Sequence, residues 1–343
     1  MTRTLIGALA ALSLFAPALA QEEPKGAPSP NEIVAAAAAS DWTRIAAEDL
    51  LVMTLASDAD GNSRQVVIQL MPPPFSQGWI ENIRIFARAG WYDNISVNRV
   101  QDNYVVQWGD PNYDNPEATG AVKPLPEGLK VMGEDEYVLP TKGSGISADL
   151  AMDLLAATIK SGATCAESTE SPTQTCTSNF EANNDKLDSF MFGWPVAGNI
   201  ASVWPTHCYG MVGVGRNLSP DTGSGAELYT VIGHAPRHLD RNIALVGRVI
   251  EGMEHLSSLP RGKGELGFYA ANEIDKRTPI LSVRVAADLP ASEQPDFEYL
   301  STTSETFAKY ADARANRRDP FFIVPAGGAD ICNIPVPVRR AVK

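Results

Sequence analysis

The strongest periodic signal lies between residues 76 and 90. Trp79, Ile80, Ile83, Phe86 and Ala87 recur at three- and four-residue spacing, which predicts a helix over 76–89 with one apolar face. Ser76 is the expected N-cap, and Phe75 and Ile80 sit at hydrophobic-staple spacing. Gly90 is the expected stop. Upstream, apolar runs at 50–55 and 65–70 flank the polar stretch Ser57-Asp58-Ala59-Asp60-Gly61-Asn62, a hairpin signal. Pro72-Pro73-Pro74 ends the second run. Downstream, short strands are predicted at 95–100, 104–108, 208–214, 228–232, 243–249 and 280–285. Further helices are expected at 33–39, capped around Ser29, and at 148–159, 252–259 and 301–317. Residues 111–147 are punctuated by prolines and read as loop, and 164–184 read as a polar surface excursion. Short strands predominate, and no internal repeat is visible.

Composition supports a turn-rich β protein. Gly 27 plus Pro 25 gives 52 of 343 residues, about 15% against a usual sum of roughly 12%. At 44% hydrophobic residues, the chain can bury a real core. Lys+Arg 28 against Asp+Glu 41 leaves a net charge of −13. That balance argues against a nucleic-acid partner and against docking on an anionic membrane surface.

The first twenty residues read as a secretory signal peptide. Arg3 precedes an apolar stretch at 5–15, and Ala18-Leu19-Ala20 forms a small-x-small cleavage site. No other segment is long and apolar enough to span a bilayer, so no stable membrane insertion is expected after cleavage. Export gives the four cysteines a role. Four allow three connectivities. The short loop between Cys165 and Cys176 favours that pair, Cys208–Cys332 then follows, and buried free thiols are the alternative. No Cys/His spacing suits a zinc site, and no metal or other cofactor is expected.

A family resemblance rests on two ordered blocks. The first holds Asn82 in the helix, Ala89-Gly90-Trp91-Tyr92-Asp93, Val97-Asn98-Arg99-Val100 and Gln107-Trp108-Gly109-Asp110-Pro111. The second holds 210–216, then 221–229, then Leu239-Asp240 and 246–253. Together they resemble the cyclophilin family of peptidyl-prolyl cis-trans isomerases, over about 50–286. The resemblance implies a mainly β fold, a closed eight-stranded antiparallel β-barrel with capping helices. It divides the chain into a signal peptide (1–20), an N-terminal extension (21–48), a cyclophilin-like domain (49–286, with an insertion over about 112–205) and a C-terminal extension (287–343) packing on the barrel.

The implied activity is rotation of X-Pro bonds in exported or unfolded polypeptides, without a cofactor. By resemblance Arg99 matches the catalytic arginine, and Gln107 the glutamine that orients it. Tyr104, Val105, Leu228 and Tyr229 match the proline pocket. Gly215 and Arg216 match the edge that grips the peptide backbone. Glu227, Leu239 and Ile243 stand at further groove positions. Asn98 replaces a histidine, Glu227 a glutamine, Leu228 and Tyr229 a phenylalanine pair, Trp108 a glycine, and Ile243 a histidine or tyrosine. These departures, with the long additions, also admit a second reading, a peptide-binding module of weak activity on the same barrel. The signal pattern points to export, in a bacterium to the periplasm.

Overall fold

The computed structural model describes residues 26–113, 115–141, 187–199 and 201–341. The expected signal peptide at 1–20, the predicted helix at 148–159, the expected polar excursion at 164–184, and Cys165 and Cys176 lie outside the described residues.

Eight strands close into an antiparallel barrel. In chain order they are β1 (Leu50–Leu55), β2 (Arg64–Leu70), β3 (Ile95–Val100), β4 (Val105–Gly109), β5 (Met211–Val214), β6 (Leu228–Val231), β7 (Leu245–Glu251) and β8 (Pro279–Val285). Around the barrel the order is β5-β6-β4-β3-β8-β1-β2-β7, and β7 returns to β5. Closure leaves no strand edge unpaired, which removes the template for edge-to-edge aggregation. The hairpin β1–β2 pairs from Leu50↔Gln69 to Leu55↔Arg64. Its turn is held by the Asp58 carboxylate, which accepts from the backbone N–H groups of Asp60 and Asn62 at 3.0 and 2.8 Å.

Leu51, Met53, Leu55, Val66, Ile68 and Leu70 alternate into the barrel core. Leu50, Val52 and Val67 point the other way, yet they too are buried, against Ile45, Ala286 and Phe297. Two covered faces explain why β1 reads as a continuous apolar run rather than an alternating one.

The helix forms at Gln77–Arg88, and all five residues of its apolar face are buried in the barrel core. Phe75 and Ile80 share that core. Gly90 ends the helix at φ +63. There the Trp91 N–H reaches the Phe86 carbonyl at 2.9 Å and the Gly90 N–H reaches that of Ala87 at 3.1 Å, a Schellman closure. Ser76 does not cap with its side chain. Its backbone is left-handed at φ +53, and its Oγ donates to the Leu245 carbonyl at 2.8 Å, so a bond to β7 takes the hydroxyl instead.

The chain outside the barrel adds two sheets that hydrophobic pattern does not reveal. One joins Trp42–Arg44, Phe297–Leu300 and Val338–Arg340. The other orders Leu139–Pro140, Ser202–Pro205, Trp194–Gly198 and Leu187–Met191. The expected helix at 301–317 spans Glu305–Ala315, capped by Ser304 Oγ accepting from the Phe307 N–H at 3.0 Å. Its Phe307 and Tyr310 pack with Trp42, Leu300, Ile334 and Val336. At the other end, Pro30–Ala35 is a short helix closed by a Ser29–Glu32 capping box. A disulfide joins Cys208 to Cys332 across 124 residues, tying the C-terminal extension to the barrel. No helix among the described residues is long and apolar enough to cross a membrane.

Candidate functional site

A groove of about 530 Å³ runs over the outside of β3, β4 and β6. Its position follows from a β-bulge. Across β3 and β4 the register passes from Val97↔Trp108 to Arg99↔Gln107, so Asn98 is the extra residue. Val97 and Val100 both face the barrel core although three apart, which strict alternation forbids. The bulge sends Arg99 outward and buries Asn98. The Asn98 amide donates to the Gly109 carbonyl at 3.1 Å and accepts from Ser96 Oγ at 2.7 Å.

Arg99 is held from three sides. Its Nη1 donates to Gln107 Oε1 at 3.1 Å, its Nε to the Leu266 carbonyl at 2.7 Å, and its Nη2 to Gln101 Oε1. The rings of Tyr104 and Phe268 each lie 5.6 Å from the guanidinium carbon, at cation–π distance. Burial draws the Arg99 pKa below the usual guanidinium value, and Tyr104 and Tyr229 act against that shift. The group keeps its charge, because guanidinium starts far above neutral pH.

Gln107 is buried and donates through Nε2 to Glu227 Oε2 at 3.3 Å. With its Nε2 on Glu227, the Gln107 amide turns its oxygen to Arg99.

Opposite this polar edge the groove is apolar. Val105 and Tyr229 are buried together with Val231, and Tyr104, Leu239 and Ile243 pack against them half-exposed. Gly215 and Arg216 form the rim. Gly215 N–H donates to the Glu227 carbonyl at 2.8 Å. Arg216 is anchored by Nε to the Asn242 carbonyl at 2.9 Å and Nη1 to that of Asn217 at 2.7 Å.

Nine of the eleven catalytic and substrate-binding residues expected from sequence thus meet at one groove, and two do not reach its surface. Leu228 is a correction. It points into the barrel core, because neighbours on a strand face opposite sides and Tyr229 takes the groove side. Glu227 is the other. It lies beneath the wall, bonded to Gln107, and is buried rather than presented to a ligand. Of the cysteines, Cys208 and Cys332 pair as expected.

The sequence reading missed one whole side. Glu265, Leu266 and Phe268 close the groove beyond Arg99, and Pro116 and Leu218 line it elsewhere. Gly262, Gly264 and Gly267 mark a turn there, but only the Arg99↔Phe268 bridge shows where the turn packs. Behind the apolar wall, His207 bonds to Tyr229 and Asp240.

Comparison with known proteins bears on the fold. Cyclophilin AquaCyp293 from Hirschia baltica superposes with a TM-score of 0.56 at 17% identity, covering 88% of this chain and 95% of that one. A cyclophilin type peptidyl-prolyl cis-trans isomerase from Cryptosporidium parvum matches with a TM-score of 0.37 at 11% identity, over 69% of this chain and 96% of its own. A second structure of that protein, in the presence of the dipeptide Ala-Pro, gives 0.34 at 10% identity, over 68% and 97%. No curated protein sequence matched. The family model described as cyclophilin type peptidyl-prolyl cis-trans isomerase/CLD matches residues 78–285. That span runs from the helix at the barrel's end to its last strand and includes Arg99, Gln107 and the opposing wall, and on it the chain belongs to the cyclophilin-type peptidyl-prolyl cis-trans isomerase family.

Proposed function

We propose that the groove binds an extended peptide and rotates an X-Pro bond, with Arg99 stabilising the twisted amide. Family and fold are those of peptidyl-prolyl isomerases in general. The observation that supports the finer reading is a single one. A guanidinium, pinned by Gln107, faces a pocket walled by Val105, Tyr229, Leu239 and Ile243. Rotation must break amide resonance against a barrier of ~18–20 kcal/mol. As the bond twists, the proline nitrogen becomes pyramidal and basic. A donor with a permanent charge beside that nitrogen lowers the barrier without any bond being made or broken. Because Gln107, Gln101 and the Leu266 carbonyl already orient it, Arg99 needs little reorganisation at the moment of rotation. The apolar wall holds the ring, and Gly215 and Arg216 lie where the backbone of an extended peptide would pass.

The clients we infer are exported or unfolded chains, and the protein is placed outside the cytoplasm, in a bacterium in the periplasm. The signal pattern at 1–20 and the Cys208–Cys332 disulfide support that placement, since such bonds persist in oxidising compartments. One observation favours the slower, peptide-gripping alternative. Three of the five N–H groups of Arg99 are engaged by the protein itself. Exchange NMR on an Ala-Pro peptide separates the two readings. Cis/trans exchange well above the rate in buffer is expected. Shift changes at the groove with exchange no faster than buffer would leave only the gripping module.

A further inference from the structure

Behind the apolar wall three polar side chains form a line through the protein interior. Tyr229 Oη lies 2.9 Å from His207 Nε2, and His207 Nδ1 lies 2.9 Å from Asp240 Oδ1. All three residues are at least 95% shielded from solvent, with exposures of 5%, 1% and 3%. Asp240 Oδ1 also accepts from the His207 backbone N–H at 2.9 Å, and its Oδ2 from Arg237 Nε at 2.7 Å. Arg237 continues outward to Asp188 at 2.9 Å. Rotation of an X-Pro bond needs none of these groups as acid, base or nucleophile. Their placement must serve something else.

The wall of a proline pocket poses a problem for tyrosine. The ring face suits proline, but the hydroxyl is a polar group that has to be satisfied. We propose that His207, held in one tautomer by Asp240, is a positioning residue that takes up the Tyr229 hydroxyl behind the wall. The groove is then offered an apolar ring face, which sets its selectivity for proline. This rests on the reading of the groove as the X-Pro site.

Proton count fixes the direction of the bond to Asp240. Burial would raise the Asp240 carboxyl, but the bonds from His207 and Arg237 outweigh it and hold the pKa below its ordinary value. The carboxylate is ionised and can only accept, so the hydrogen between it and the ring sits on Nδ1. Burial, reinforced by Tyr104 and Asp240, pushes the Tyr229 phenol well above its usual value, so the hydroxyl keeps its proton. In the proposed arrangement that O–H donates across 2.9 Å to Nε2, the second ring nitrogen.

Two further features fit the assignment. A Cβ on Gly213 would lie 2.3 Å from Tyr229 Oη, so the glycine leaves on β5 the niche that the hydroxyl fills. His207 is also fixed at its base, because Cys208 follows it and the Cys332 sulfur of the disulfide touches the His207 carbonyl oxygen at 3.8 Å.

A double-mutant cycle tests the proposal, with kcat and KM measured by exchange NMR on an Ala-Pro peptide. His207→Leu is expected to raise KM on the order of tenfold, the cost of freeing a buried donor at the pocket wall, with kcat within about twofold. In the Tyr229→Phe background the same change is expected to cost less than about twofold, because no hydroxyl remains to be held. Equal losses in both backgrounds would overturn the proposal, since a purely structural histidine behaves that way. A second readout needs neither a variant nor isomerase activity, and so separates failure here from failure of the groove reading. Nitrogen-15 NMR of the imidazole in the unmodified protein is expected to show His207 protonated at Nδ1 and bare at Nε2. A proton on Nε2, in a neutral or a charged ring, overturns the proposal even if the His207 variant does not fold.

Discussion

The two walls of the groove are built by opposite means. The polar wall is local. Arg99, Gln101 and Gln107 lie within nine positions of one another on and beside two paired strands, and hydrogen bonds join them directly. The apolar wall is dispersed. Val105, Tyr229, Leu239 and Ile243 come from β4, β6 and the turn before β7, and a buried chain of His207 and Asp240 stands behind them. The contrast separates two tasks. Transition-state electrostatics demands fixed donors at one point, which adjacent strands supply. Recognition of a ring needs a surface, which only the closed barrel can gather from distant positions.

That division can be broken piece by piece. The largest effect is expected at the polar wall. Arg99→Ala should lower kcat/KM by about 10²–10³-fold, with little change in the thermal midpoint, as peptide exchange and calorimetry would show. Next in size is the tie between the extension and the barrel. Reduction of Cys208–Cys332, or Cys332→Ser, should cost about 2–4 kcal/mol in urea unfolding. Its effect on kcat should be small, because the bonds that hold Arg99 run to Leu266, Gln107 and Gln101. A smaller change is expected at the apolar wall. Ile243→Ala should raise KM by roughly three- to tenfold through lost contact with the proline ring, measured in the same exchange experiment.

The smallest effect sharpens the comparison through pH. The Asp240 carboxyl is held below its ordinary value by His207 and Arg237 despite burial. A depressed carboxylate stabilises the fold above its unfolded pKa, and that contribution is lost as pH falls through the folded value. The window lies below about pH 4. In Asp240→Asn, acid unfolding should therefore depend less steeply on pH there. An unchanged slope would remove Asp240 from the acid response.

What the sequence made legible follows the same division. The Arg99–Gln107 pair enters only through the family resemblance, and the structure sets the two residues facing each other on paired strands. The helix face from Trp79 to Ala87 is legible in the sequence itself, because its spacing is local. Ser76 misled, since a serine before an apolar run looks like a cap while its actual partner is the Leu245 carbonyl, 169 positions away. The resemblance puts Leu228 in the pocket beside Tyr229, whereas strand alternation sends the two to opposite faces. His207 gave no signal, because its partners stand 22 and 33 positions away and only the barrel brings them together. Trp42–Arg44, Phe297–Leu300 and Val338–Arg340 are too short to show any period, and their pairing is set by contact with one another.

The division of labour between the walls is tested most directly by one comparison, kcat and KM measured separately for Arg99→Ala and Ile243→Ala on a single Ala-Pro peptide. The expected result places nearly all of the arginine's loss in kcat and nearly all of the isoleucine's in KM. An Arg99→Ala protein that keeps its kcat while losing affinity would contradict the assignment, for it would make the guanidinium a peptide grip rather than the group that stabilises the twisted bond.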